Sequence, residues 1–240
     1  MFFTQDFRIS LTSLGTNTYI SNKGFLSLLQ DIAEMHSASI KYGVTDIEKT
    51  KHSWAILNWK VQFFSRPKYG ETINIKTWAR YYTKLYCYRD FEIYNSNGDI
   101  IAIASSKWVL IDIEKHKIAR LEDDVMKLYA PEEKSVFNTL EIEKIQEPDN
   151  YSNTINYVIR KSDIDVNNHV NNLCYVDIAL EAFPGNTNEF NSCTEFEIMY
   201  KHQIRLDDKI EVSYSFENST NYVVIKSDEN KNLHAIIRFK

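Results

Sequence analysis

The sequence predicts an α+β protein in which one unit is used twice, and three observations predict it. Two stretches are too apolar to form helices that face water. From Lys23 to Tyr42, Phe25, Leu28, Leu29, Ile32, His36 and Ile40 form a stripe at helical spacing. From Val170 onward, Leu173, Val176, Leu180 and Phe183 recur, while Val170, Cys174, Ile178 and Ala179 leave little polar surface. Each stretch follows one strand-like segment and precedes four more, and local sequence repeats as well: P-K-Y-G-E-T-I-N-I at Pro67–Ile75 corresponds to R-L-D-D-K-I-E-V at Arg205–Val212.

Taken in order, residues 2–11 alternate weakly and read as an opening strand. Asn22 is a fitting N-cap for the first helix, which Gly43 closes. His36 on its apolar stripe reads as a satisfied core histidine. Trp54–Phe64 follows as a strand, then Arg66-Pro67 and Tyr69-Gly70 turn the chain. Thr72–Tyr81, Leu85–Tyr94 and Ile100–Ile111 are three more strands, the last two joined at Ser96-Asn97-Gly98 by a hairpin for which Asn-Gly favours a type I′ turn. Residues 113–153 are charged and weakly periodic, with a short helical piece at Leu121–Leu128, and read as a connection. Ile155–Arg160 is a strand, and the second helix stops at Pro184-Gly185. Thr194–Gln203, Lys209–Phe216, Asn221–Lys226 and Leu233–Phe239 complete the second sheet.

A helix too apolar for solvent, followed by an antiparallel sheet, is buried most simply when the sheet wraps it. That arrangement is the hotdog fold. The expectation is two tandem hotdog domains, residues 1–112 and 154–240, linked by 113–153.

Composition narrows the function. With 43% hydrophobic and 25% charged residues, the 240-residue chain is that of a globular protein with material for an ample core. Thirteen Phe, fifteen Tyr and four Trp suit sheets and an apolar pocket. Cys87, Cys174 and Cys193 have no metal-type spacing, so reduced thiols in a cytoplasm are expected, with no metal and no cofactor. No segment approaches the roughly 18 apolar residues of a membrane span. A net charge of −5 argues against nucleic acid as a partner. Yet Lys60, Arg66, Lys68, Lys76, Arg80, Lys84 and Arg89 stand against Glu71 alone, which suggests either an acidic partner or an ordinary solvated face.

The chemistry concentrates in K-S-D-I-D-V-N-N-H-V-N-N-L-C-Y-V-D-I-A-L-E-A-F-P-G, Lys161–Gly185. Asp165, Asn167 and His169 alternate, so an extended segment would send all three to one side, at the N-terminal mouth of an apolar helix. Spacing alone leaves a plain polar turn ahead of a core helix equally open.

The run from Asp165 to Glu181 resembles the motif of the acyl-acyl carrier protein thioesterases of plants and bacteria, in which Asp-x-Asn-x-His-Val-Asn-Asn opens the helix of the second hotdog domain. The first half is similar to that family too, in F-L-S-L-L-Q-D-I-A-E-M-H, in W-A-I-L-N-W-K-V-Q-F-F-S-R-P-K-Y-G-E-T-I-N-I-K-T-W and in R-D-F-E-I-Y. The resemblance implies hydrolysis of a fatty acyl thioester on the 4′-phosphopantetheine arm of acyl carrier protein. It implies an acyl pocket in the first domain, with Leu28, Ile32, Trp54 and Ile56 as candidates, and catalytic residues in the second. Arg66 and Lys68, flanking a turn, are expected to project into solvent and dock the carrier protein. No membrane is called for, and a homodimer is left open.

Thioester hydrolysis needs an activated water or nucleophile and a donor for the carbonyl oxygen. Asp165 and His169 are candidate bases, and the Asn167 amide can orient the carbonyl. The family commonly has a Glu before a Gly-Asp turn. Aligning that turn on Asp207-Asp208 sets Gln203 in its place, able to hold a water but not to take its proton. Plant members carry a Cys beside that Glu; here Ile204 occupies the position, so cysteine catalysis is not expected. An acyl-coenzyme A thioesterase and a non-catalytic acyl-thioester-binding protein are the alternatives.

Overall fold

The computed structural model describes residues 1–229 and 231–240. Eleven strands form one antiparallel sheet: β1 Phe3–Arg8, β2 His52–Phe63, β3 Thr72–Tyr82, β4 Cys87–Tyr94, β5 Ile100–Asp112, β6 Lys117–Ile118, β7 Asn153–Tyr157, β8 Glu195–Tyr200, β9 Ile210–Glu217, β10 Thr220–Ser227 and β11 Leu233–Phe239. Their order is β1-β3-β4-β5-β2-β8-β11-β10-β9-β7, with β6 beside β5. The order is mirrored: β7 to β11 repeat β1 to β5 from the other edge. The halves meet at β2 and β8, where Trp59 opposes Ile198 and Val61 opposes Phe196.

Two helices lie against this sheet, α1 at Asn22–Ser39 and α4 at Cys174–Ala182; three short ones, α2 Ile47–Thr50, α3 Asp123–Tyr129 and α5 Thr187–Asn191, sit in connections. Phe25, Leu26, Leu29 and Ile32 of α1 share one continuous core with Val176, Ile178 and Ala179 of α4. Burial of each such side chain is worth about 1.5–3 kcal/mol, which explains why neither helix carries a full polar face.

The helix ends differ from expectation for local reasons. Ser21, not Asn22, caps α1, accepting the Gly24 N–H at 3.0 Å. Asn22 is buried and spent across the halves, its backbone N–H donating to Asn191 Oδ1 and its side chain to the Phe190 carbonyl. At the other end Lys41, with φ 60°, turns the chain, and the Tyr42 N–H closes on Ser37 O at 2.9 Å. Gly43 has an ordinary φ of −91°; close packing requires it, since a Cβ there would sit 2.9 Å from the Ala38 backbone. The 95–98 hairpin forms, but only Gly98 has positive φ, and its N–H bonds Asn95 O at 3.0 Å. It is a type I turn closed by a left-handed glycine rather than type I′.

After α3 the connection has no regular structure and runs over the sheet. Glu132 N–H bonds Ala79 O, Trp78 Nε1 donates to Lys134 O, and Val136 N–H donates to Asp90. Beneath it Asp90, wholly buried, pairs with Arg80 at 3.1 Å. The connection then reaches the second half, where Ile145 packs on Met199, Val224 and Ile236. Among the described residues no helix is long and apolar enough to cross a membrane.

Candidate active site

The stretch from Asp163 to Asn171 is a tight turn, not the extended segment its alternation suggested. An isolated bridge joins Ile164 to Val170, the Asp165 N–H donates to His169 O at 2.8 Å, and Asn168 takes a φ of 60°. Asp165 Oδ1 accepts the N–H of Asn167 at 2.8 Å and that of His169 at 3.4 Å. One carboxylate oxygen therefore shapes the loop while the other has no hydrogen bond among the described residues. The turn is held from below by Asp163, 1% exposed, which accepts from Arg160 N, Nε and Nη2 and from the Tyr157 hydroxyl. Burial alone would raise the Asp163 pKa, but the Arg160 hydrogen bonds outweigh it and hold the carboxyl below its ordinary range. From the side, Val170 N–H donates to Ile204 O at 2.8 Å, and the Tyr200 hydroxyl donates to Asn172 O at 3.0 Å.

Helix α4 begins at Cys174 rather than Val170; an Asx turn precedes it, in which the Asn171 side chain accepts the Leu173 N–H at 2.9 Å. Asn167 is exposed and His169 half-buried; Gln203 is exposed in the loop after β8, next to the pinned Ile204. Among the described residues, no hydrogen bond joins the side chains of these four candidates to one another.

A cavity of about 360 Å³ opens beside the loop. Asn167 is the one residue of the second half that lines it; Gln30, Glu34 and Ser37 of α1, with Trp54, Trp108 and Tyr129, form much of the rest. Of the four expected pocket residues, Trp54 is there, its Nε1 donating to the Tyr129 hydroxyl at 2.8 Å. Ile32 and Ile56 are core, and Leu28 lines a different cavity, of about 610 Å³, between α1 and α4.

At the inner wall lies Arg89, 5% exposed and without an ion pair among the described residues. Its Nη1 donates to His36 Nδ1 at 2.9 Å and to Thr77 Oγ1 at 3.2 Å. Burial first, and the Arg89 charge second, push the His36 pKa down to about 3, so the ring is neutral. The expectation of a core histidine holds, but it is incompletely satisfied, with Nε2 unpartnered.

Of the basic strip, Lys68 and Lys84 are exposed and Lys60, Arg66 and Lys76 half-buried. Arg80 and Arg89 are buried, and Lys60 and Lys76 lie over the Phe137 and Phe2 rings. Arg66 turns inward rather than projecting: Nη2 donates to Asn22 Oδ1 and Cys193 O, each at 2.8 Å, and the guanidinium stacks 3.7 Å from the Phe63 ring centroid. Lys68 is exposed. A count of charges shows neither strand alternation nor the burial of Arg80, paired with Asp90, and of Arg89.

Residues 13–21 repeat the turn of residues 163–171. Leu14 bridges Ile20, Gly15 N–H bonds Tyr19 O at 3.2 Å, Ser21 N–H bonds Ser13 O at 3.0 Å as Asn171 bonds Asp163 at 2.8 Å, and Ile20 N–H bonds Pro67 O as Val170 bonds Ile204. Here Gly15 stands for Asp165, Asn17 for Asn167, Tyr19 for His169 and Arg66 for Gln203. A comparison of the sequence with itself at an offset of 150 residues, where Ile9, Leu14, Asn17 and Ile20 meet Ile159, Ile164, Asn167 and Val170, carries the signal for it.

Comparison with known proteins agrees with this architecture. A 12:0-ACP thioesterase from Umbellularia californica superposes with a TM-score of 0.85 at 21% identity, over 100% of this chain and 96% of that one. An acyl-ACP thioesterase from Bacteroides thetaiotaomicron gives 0.84 at 18% identity, over 99% and 96%. The fold is theirs. The sequence profile of the acyl-ACP thioesterase N-terminal domain matches residues 1–129 and that of the C-terminal domain residues 146–240, and the chain belongs to this family. The oleoyl-acyl carrier protein thioesterase 1 of Arabidopsis thaliana, named as chloroplastic, is 23% identical over 227 residues, 87% of this chain and 62% of its own length. An acyl-[acyl-carrier-protein] hydrolase of Cuphea viscosissima is 26% identical over 213 residues, 84% and 52%. The chain thus spans less than two thirds of the length of these relatives.

Proposed function

We propose that the chain hydrolyses the thioester of fatty acyl-acyl carrier protein, releasing fatty acid and ending chain growth. The observation that carries this reading is Asn167, on the second-half loop, at the wall of a cavity otherwise built by the first half. An acyl chain in that cavity would bring its carbonyl to the Asp165–His169 turn. The two mirrored halves are read as tandem hotdog domains, 1–112 and 154–240, with 113–153 between them. Three buried free thiols fit a reducing compartment such as the cytoplasm.

In this mechanism the Asn167 amide donates to the carbonyl oxygen and stabilises the charge that develops there. His169 accepts the proton of an attacking water, with the unbonded oxygen of Asp165 beside it and Gln203 orienting the water. Collapse of the tetrahedral adduct breaks the C–S bond, and the proton passes to the thiolate of the phosphopantetheine arm. Steady-state turnover of matched acyl-carrier-protein and acyl-coenzyme A substrates tests this. Faster turnover on the carrier protein is expected. A preference for coenzyme A would reassign the carrier, and no turnover on either would leave an acyl-binding protein.

A further inference from the structure

Arg89 is not explained by a cavity that holds only hydrocarbon. A guanidinium withdrawn from water is expensive unless its donors and charge are met. Arg89 Nη1 is met by two neutral acceptors, and among the described residues no hydrogen bond is made by Nε or Nη2. On the α1 wall, Gln30 Oε1 is buried with no partner among the described residues. Gln30, Ala33, Glu34 and Ser37 share one helix face toward the cavity, so donor and acceptor line the same space. A plain alkyl chain would leave both unpaired.

We propose that this cavity receives a chain bearing a hydroxyl group, which accepts from Arg89 and donates to Gln30. A hydroxyl is favoured over a carboxylate because Asp31 and Glu34 also line the cavity and would repel an anion. Glu34 accepts the Val44 N–H; its charge acts on Arg89 at longer range, without an ion pair between them among the described residues. In the second half Phe183, Phe190, Phe196 and Phe239 pack on one another instead, with ring centroids 4.9–6.4 Å apart. The hydroxyl site deepens the acyl-thioester reading and rests on it for the position of the ligand.

Binding of free fatty acids, read by calorimetry, tests the inference apart from turnover. The set is one chain length, unsubstituted, hydroxylated at successive carbons, or ending in a second carboxylate. One hydroxylated isomer should bind about 10–100-fold more tightly than the plain chain, the range of a hydrogen bond to a charged group. The preference should collapse in Arg89→Met and shrink in Gln30→Leu, the half-buried position keeping the test alive if Arg89→Met does not fold. Equal binding of plain and hydroxylated chains, a best ligand with two carboxylates, or a preference undiminished in Gln30→Leu would each overturn it. Absence of thioester turnover together with the hydroxyl preference would instead remove the hydrolase reading and leave this one standing.

Discussion

Residues 163–171 and 13–21 share one bridge and most of their backbone hydrogen bonds, yet one copy carries a carboxylate and an imidazole and the other a glycine and a phenol. The bridge and its flanking hydrogen bonds therefore form without the carboxylate and the imidazole. The difference teaches which groups are retained for shape and which are free for function. Asn17 and Asn167 stand at the same position, but Asn17 Oδ1 accepts the Tyr19 N–H at 2.9 Å, whereas Asn167 leaves that work to Asp165. In the second half the turn is formed by the residue that also carries charge, and the asparagine is released to face the cavity.

The sharpest way to break this comparison is to change both copies. Asp165→Ala and His169→Ala should each lower kcat by at least about 10²–10³-fold, the scale seen when a group acting on the transition state is removed. Asn17→Ala and Tyr19→Ala should leave kcat within about twofold. Circular dichroism must show all four folded. Near-normal kcat in either second-half variant would end the assignment.

The positions of Arg66 and Gln203 differ in kind as well. Arg66→Ala removes charge-assisted hydrogen bonds that join the segments near Asn22, Phe63 and Cys193, each worth about 1.5–3 kcal/mol, and should lower the urea midpoint markedly. Gln203→Ala should leave that midpoint unchanged and lower turnover, and Gln203→Glu should retain or raise it. A silent Gln203→Ala would remove it from the site.

A smaller effect separates the interiors. The unfolded His36 takes up a proton below its ordinary pKa of 6.5, while the folded ring, held near 3, does not. Its contribution is fully present above pH 6.5 and lost as pH falls, at up to about 1.4 kcal/mol per unit. Urea midpoints from pH 7 to pH 5 should fall less steeply in His36→Gln. An unchanged slope would mean that other groups set the acid limb.

Most of the strand pattern was legible in the sequence because alternation survives wherever one face is buried: β11 at Leu233–Phe239 was expected with its observed bounds. Helix ends were not, since Ser21, Lys41 and Asn171 act through side-chain and left-handed geometry that an apolar period does not encode. The motif pointed to Asp165, Asn167 and His169, but not to the Asp163 and Arg160 clamp beneath them. Ion-pair partners three residues apart look like surface charge until burial is known. Helical periodicity finds the inward face of α1 but not which of two cavities Leu28 borders.

One polypeptide joins the two halves covalently, and the pairing of β2 with β8 joins them by hydrogen bonds into one sheet. Two identical chains related by a twofold axis must carry every substitution twice, so neither copy of a site can be lost without losing both. A chain that contains both halves escapes that constraint. Position 15 can become glycine while position 165 stays aspartate, and the interior of one half can fill with phenylalanine while the other stays open. The seam is thus a licence for asymmetry: it preserves the scaffold of a pair while letting each member answer to a different selection.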